Sequence, residues 1–496
     1  MRGGRTFGLV PAAAVVALLF LVKFVVYAWW VTPLWDVADE SGHFSYVEDV
    51  ARGTLPVLGE ARMGEEVTRS WINPDAQPGM NWIAQHPPLY YALAAPVLRV
   101  GNAAGLGFEQ RVRLTRMPAA LFGALALLGL ALFLARVTGR DELGLAGAVF
   151  LGATPMFTHL ATGVSHDTLV ACTAAWGAYW CGRWLESRTF RHLLYAAGLV
   201  ALCIATKMTA LAMGMPLFFV IAWRLWRLRD EAPVVRVLVQ VAVLWMVMFT
   251  PACLWILRNL VVIGQAFPGS SLIYDREIVE IGFFELMHSF PFWQHTLVNF
   301  VGLLGWNGSG DGVLATLAAN GAAGRYFLGC LAFLSAGVVL STVMGKLSPR
   351  VRWFVAGAGL LFLAWVFAQP QVVVLAKWTA WLLLAALACS IVVHSRAFAT
   401  GAGASDGKGW LLVAGALCVL CFAFLFYHHL WSIFAGAMRA THGRYFYPVV
   451  PFLFLLLAWP FRGVIASRLL LCGAVGALLV GDWFYLHKAF GFYGLL

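Results

Sequence analysis

The 496-residue chain is 61% hydrophobic and 11% charged, with a formal charge of +11. No soluble globule of this size keeps so large an apolar share out of water, so the composition excludes a soluble enzyme. The positive balance is read as membrane orientation rather than as a nucleic-acid footprint.

The apolar runs are continuous rather than alternating, which excludes a transmembrane barrel and leaves an all-α polytopic membrane protein. A spanning helix needs about 20 apolar residues. Such helices are expected at about 8–31, 112–135, 142–162, 166–185, 192–206, 209–226, 234–257, 323–344, 352–370, 372–394, 410–432, 445–461 and 467–487, about thirteen in one transmembrane domain over 1–496. Arg2 and Arg5 precede the first run, which is too long for a cleaved signal sequence. It is expected to be a retained helix with its N-terminus in the cytoplasm.

Directly after that helix comes Trp35-Asp36-Val37-Ala38-Asp39-Glu40-Ser41-Gly42-His43. Three acidic groups and a histidine so close to hydrocarbon are expensive, and a working site is the default reading against a merely hydrated loop. Next, Pro87 to Leu98 is apolar but too short to span. It is expected to lie at the outer interface, with Tyr90 and Tyr91 in the headgroup zone.

Charge tests this path. On it Arg136, Arg140, Arg183, Arg224, Arg396, Arg462 and Arg468 face the cytoplasm with Arg2 and Arg5, and only six acidic residues join the basic set there. Making 87–98 a true span would turn most basic loops outward, against the positive-inside rule. Arg99, Arg111, Arg113 and Arg116 dissent by lying outside, where lipid headgroups or a phosphate-bearing ligand would hold them. Lys23 and Lys377 lie in apolar runs without an assignment. Two long polar stretches emerge outside. Residues 32–111 are a loop with interfacial helices and the expected catalytic groups; residues 258–322 are an expected cap with a turn-rich Gly305–Gly312 run. All nine cysteines lie in apolar stretches, and the Cys418/Cys421 spacing reads as helix packing.

Five further motifs fall on the same outer face: Gln85-His86-Pro87-Pro88-Leu89-Tyr90, Ser165-His166-Asp167, Thr206-Lys207, Arg258-Asn259, and Thr441-His442-Gly443-Arg444-Tyr445. Carboxylates with a lysine and arginines at a bilayer edge suit one task. The acid activates a hydroxyl acceptor while the cations hold a lipid phosphate. Each also has a plainer reading. Lys207 can snorkel, Arg258 and Arg444 can touch headgroups, Asp167 can complement a helix dipole, and His86 can be an ordinary interfacial histidine. His43 with Glu40 has one-face spacing, but no third ligand follows it, so zinc is not expected.

The order of these motifs resembles the GT-C superfamily of integral-membrane glycosyltransferases that use polyprenyl-phosphate sugars. The resemblance rests on Asp39-Glu40, His86-Pro87-Pro88-Leu89-Tyr90, Arg113-Leu114, Ser165-His166-Asp167 and Ala205-Thr206-Lys207. Arg258-Asn259 and Gly443-Arg444-Tyr445 are similar to a poorly characterised bacterial branch with Asp-Glu-x-x-His and Gly-Arg-Tyr motifs. It implies that Asp39 is the catalytic carboxylate and Glu40 its acidic neighbour. It also implies that Lys207 holds the donor phosphate. His43, His86, Asp167, Arg258 and Arg444 join as substrate-binding residues. Ala38 stands where the family has Pro, and His86 where several relatives have Lys.

The resulting expectation is a hexosyl- or pentosyltransferase of a bacterial inner membrane, with its site on the periplasmic face. It moves a sugar from a polyprenyl-phosphate donor to a glycan, lipid or protein acceptor by direct displacement. No cofactor is expected; a divalent metal is compatible but not predicted. Membrane lipids are the other expected partners. The rival reading is a transporter or flippase of lipid-linked or surface-glycan intermediates, which would show broken helices and ionisable groups near the midplane.

Overall fold

The computed structural model describes residues 8–71, 79–228, 233–269, 272, 292–302, 321–344, 372–400, 407–434 and 443–492. The expected helix at 352–370, the Gly305–Gly312 run, Thr441-His442 and much of 258–322 lie outside them.

Among the described residues the protein is helical, and its only β pairing is an isolated bridge between Arg62 and Met80. Among the described residues eight helices are long and apolar enough to cross a membrane, or up to nine if a bent pair counts as one span. α1 (Leu9–Val26) runs into a π turn at Tyr27–Val31, so the first apolar run is a helix throughout. An outer layer follows: α2 (Glu40–Ala51), α3 (Glu65–Arg69), α4 (Leu89–Ala103) and α5 (Phe108–Thr115). α6 (Met117–Thr138) then crosses and ends on Gly139, whose φ of 73° gives the left-handed cap that glycine adopts without strain.

The expected span at 142–162 is broken. α7 (Asp141–Ala153) and α8 (Pro155–Ala161) meet at 72°. Pro155 lacks an N–H and pushes Thr154 into extended backbone, so the helix cannot continue through that joint. α9 (Asp167–Ser187), α10 (Phe190–Thr206), α11 (Leu211–Arg227) and α12 (Val234–Val262) follow. Beyond them lie α13 (Phe292–Val301), α14 (Gly321–Met344), α15 (Val372–Thr400), α16 (Gly407–Phe434), a 3-10 turn at Gly443–Val449, α17 (Val450–Ala458) and α18 (Val464–Phe492).

α6 is the hub, packing against α1, α7 and α9. The main core fills the space between these helices with Leu127, Leu130, Phe133, Phe157 and Leu160. A second core holds the outer layer together through Phe44, Tyr46, Val47, Tyr90, Tyr91 and Val112. This corrects one expectation: Tyr90 and Tyr91 are fully buried rather than set among headgroups. They sit where α4 packs on α2, because stacking Tyr46 on Tyr91 at 3.7 Å buries more ring than an interface would.

The dissenting arginines are corrected too, since all four have protein partners. Arg99 donates to the Ala51 carbonyl at 2.9 Å, Arg111 pairs with Glu66 at 2.6 Å, and Arg113 reaches Glu109 at 3.0 Å. Arg116 is fully buried against Glu40. These residues bind the outer layer together, so they need no lipid phosphate. At the opposite end of the bundle, Arg136 pairs with Glu186 and Arg140 donates to the Arg462 carbonyl.

Lys23 also gains an assignment. It pairs with Asp482 of α18 and lies near the rings of Phe20, Phe24 and Tyr27. A lone ammonium inside a bilayer would be costly, and this pairing ties the first helix to the last.

Candidate active site

The site begins in the linker between α1 and α2. Trp35 and Asp39 both have φ of 63°, a left-handed conformation that a non-glycine residue adopts at a cost of about 1–3 kcal/mol each. Glu40 holds the linker in that shape. Its Oε1 accepts from Arg116 Nε at 2.7 Å and from the Val164 N–H at 2.9 Å. Its Oε2 accepts from Arg116 at 2.8 Å and from the Trp35 N–H at 3.0 Å. Arg116 uses its remaining donors on the carbonyls of Ala28, Thr32 and Pro33.

Glu40, expected as the acidic neighbour of Asp39 in the catalytic pair, has all four of its lone-pair positions used and a side chain with no exposure. It is a buried brace. Arg116 is its partner, and sequence reasoning missed that pairing because 76 residues separate the two.

Asp39, held by this brace, accepts from Trp82 Nε1 at 3.0 Å through Oδ1 and pairs with Arg444 through Oδ2. Arg444 also donates to the Ala38 carbonyl at 3.2 Å. Its Nε lies 3.8 Å from Asp167 Oδ2, and Asp167 Oδ1 accepts from Lys207 Nζ at 2.7 Å. Asp39, Arg444, Asp167 and Lys207 therefore form one array of alternating charge. The Lys207 ammonium stands 4.5 Å from the centre of the Tyr445 ring. Asp167, Lys207 and Arg444 are buried; Asp39, at 18% side-chain exposure, is the open end.

Two glycines of the quoted motifs are explained by this packing. A Cβ on Gly42 would stand 2.6 Å from Ile83, and one on Gly443 would stand 2.4 Å from the Phe300 Cα. Both mark close approaches that bring Asp39 and Arg444 to the same point.

A histidine cluster adjoins the array. His43 Nδ1 and His166 Nδ1 lie 2.9 Å and 3.2 Å from the Tyr91 hydroxyl, and 3.4 Å from each other. The His86 ring centre is 4.6 Å from that of His166. Burial holds the His43 imidazole down at about 4, although Asp39 and Asp167 pull it upward. Burial, and then Lys207, holds His86 well below the usual range as well.

Of the residues expected from sequence, Asp39, His43, His86, Asp167, Lys207 and Arg444 come together here. Arg258 is set apart: it donates to the Pro56 carbonyl at 2.9 Å and to Asn259 at 3.0 Å, over the Trp255 ring. Trp82, Tyr91 and Tyr445 were missed as site residues. His166 was visible inside Ser165-His166-Asp167, but its spacing carried no sign of Tyr91. Among the described residues, no three of His, Cys, Asp and Glu converge with the geometry of a metal site.

Residues 85–255 match the profile of the dolichyl-phosphate-mannose-protein mannosyltransferase family. Over that segment the chain is similar to this family of membrane glycosyltransferases. The matched segment carries His86, Asp167 and Lys207. No curated protein matches the chain.

Solved structures give looser likenesses. The archaeal oligosaccharyltransferase AglB from Archaeoglobus fulgidus, with an inhibitory peptide and a dolichol-phosphate, is 14% identical at a TM-score of 0.46, covering 97% of this chain and 56% of its own. ArnT from Cupriavidus metallidurans bound to undecaprenyl phosphate is 16% identical at 0.34, covering 92% and 78%. The S. cerevisiae protein O-mannosyltransferase complex bound to the sugar donor is 16% identical at 0.37, covering 50% and 33%. The chain thus spans about a third of the yeast protein and just over half of the archaeal one.

Proposed function

We propose that this protein transfers a hexose or pentose from a polyprenyl-phosphate donor to an acceptor at the periplasmic face of a bacterial inner membrane. The observation that carries this reading is the array Asp39–Arg444–Asp167–Lys207, buried beneath the outer layer with Asp39 as its open end. The match over residues 85–255 to a family named for a dolichyl-phosphate sugar supports the donor class.

A sugar on a lipid phosphate already has a good leaving group, so the protein's work is to bind the phosphate and deprotonate the acceptor. Lys207 and Arg444 supply positive charge where the phosphate oxygens gain electron density. Arg444 turns from Asp39 toward the phosphate as the donor enters, and Asp39 Oδ2 accepts the proton of the attacking hydroxyl. Attack opposite the phosphate inverts the anomeric centre. His43 and His86 stay neutral beside the array and offer hydrogen bonds rather than competing charge.

The experiment compares surface glycans by mass spectrometry in a deletion strain complemented with wild type or Asp39→Asn. Wild type restores the missing sugar and Asp39→Asn does not, since the amide keeps the shape but loses the basicity. Full restoration by Asp39→Asn, at equal membrane abundance, overturns the assignment.

The transporter reading has its own support in the 72° break between α7 and α8 and in the Lys23–Asp482 pair. Proteoliposomes decide between the two. A transferase makes glycosylated product on one leaflet without moving the lipid-linked sugar across, whereas a flippase moves it without product.

A further inference from the structure

The array is electrically balanced before any ligand arrives. Asp39 neutralises Arg444, and Asp167 neutralises Lys207. A lipid phosphodiester adds a full negative charge to a site in which three of these four groups are almost fully buried. An uncompensated anion in that setting is expensive, so a further positive charge has to come from somewhere.

The groups facing this point from each surrounding element limit the choice. They are Asp39 from the linker, His43 from α2 and His86 from the turn before α4. Tyr90 and Tyr91 come from α4, and Asp167 from α9. Lys207 comes from the joint after α10, and Arg444, Tyr445 and Tyr447 from the 3-10 turn before α17. Only the histidines can gain a positive charge near neutral pH.

His166 is placed to do so. It is 2% exposed and precedes α9. Its Nδ1 has the Tyr91 hydroxyl as a partner at 3.2 Å. Its Nε2 lies 3.4 Å from Asp167 Oδ1 and has no hydrogen-bond partner among the described residues. Asp167 Oδ2, Arg444 Nε and the Tyr447 hydroxyl are also buried without a hydrogen-bond partner there. These orphaned polar atoms come from two elements packed on one point, as a site for a polar ligand requires. In the resting site burial, then Lys207, keeps His166 neutral.

We propose that His166 takes up a proton when the lipid phosphate binds, becoming the third cation of the anion site. The inference rests on the lipid-phosphate reading above. The incoming phosphate draws the Lys207 ammonium away from Asp167. Asp167 Oδ1 then accepts the new Nε2–H of His166, while its Nδ1–H is held by Tyr91. The proton comes from a buffer acid or hydronium: the donor's bond to hydrogen breaks as the His166 Nε2–H bond forms, and the donor is left as its conjugate base.

The test is isothermal titration calorimetry of the full-length protein in detergent with farnesyl methyl phosphate, in buffers of different ionisation enthalpy. This diester keeps one charge throughout, so any proton taken up enters the protein. Wild type takes up about one proton per ligand near neutral pH, and its affinity falls about tenfold per pH unit on the alkaline side. His166→Phe, which keeps a ring against His86, and His166→Asn both bind more weakly with no uptake and no pH slope. A parallel titration with dioctanoyl phosphatidylglycerol gives no uptake.

Binding by wild type without uptake, or uptake undiminished in both variants, overturns this inference and leaves the lipid-phosphate reading standing. Equal uptake with phosphatidylglycerol overturns the assignment to a prenyl phosphate. Absence of any binding to farnesyl methyl phosphate overturns both readings.

Discussion

Replacing Glu40 separates a structural brace from a catalytic acid. Glu40 and Arg116 are both without exposure, and each carboxylate oxygen accepts two hydrogen bonds. Glu40→Gln keeps the shape but leaves the Arg116 guanidinium without its counter-ion. Removing one partner of a buried ion pair costs about 3–5 kcal/mol, because the other charge stays buried.

Arg116→Met costs more. It strands the carboxylate and also leaves the carbonyls of Ala28, Thr32 and Pro33 without their donor, at about 1–3 kcal/mol for each that water does not reach. The double variant recovers part of the Glu40→Gln loss relative to additivity, since neither charge remains. Reversible unfolding in detergent, followed by tryptophan fluorescence, measures all three. Wild-type stability for Glu40→Gln together with abolished transfer would refute the brace and return Glu40 to the chemistry.

The other predictions follow from the same geometry. Lys207→Met weakens binding of a polyprenyl-phosphate sugar while the protein still inserts; unchanged affinity would leave Lys207 as nothing more than the counter-ion of Asp167. The folded pKa of His43 lies at about 4, below its unfolded value, so between these two the unfolded chain binds more protons. Stability is therefore lost as pH falls from the ordinary histidine range toward about 4, and His43→Asn flattens that part of the stability profile. A profile as steep in His43→Asn as in wild type rules out this source. Glu60, exposed on the outer layer, is expected to react as Glu60→Cys with an impermeant thiol reagent in intact cells, in a cysteine-free background. Labelling that needs permeabilisation would invert the whole path through the membrane.

Much of this protein is readable from one dimension. Apolar runs such as Leu9–Val31 and Val464–His487 appear as helices because a bilayer leaves the backbone no other way to satisfy its polar groups. The short length of Pro87–Leu98 predicts a helix that does not span, and α4 is not among the helices long and apolar enough to cross a membrane. Asp39, Asp167, Lys207 and Arg444 announced themselves as charges at helix ends, where apolar neighbours make any charge conspicuous.

What the sequence could not supply was the pairing of those charges. Asp39 and Glu40 are adjacent in the chain, yet one is the open end of the array and the other is sealed against Arg116. Successive residues at a helix start point in different directions, and only the packed layers decide which side chain is buried. The same holds for Arg116, Arg99 and Arg111, whose partners lie on α2 and α3, whereas Arg113 pairs with Glu109 one turn back on its own helix. It holds for Lys23, whose partner Asp482 is near the far end of the chain. It holds for His166, whose neighbours come from α2 and α4. Hydropathy is a property of single segments and survives in the sequence, whereas neutralising a buried charge requires two or more distant segments at one point in space, and tertiary structure alone brings them there.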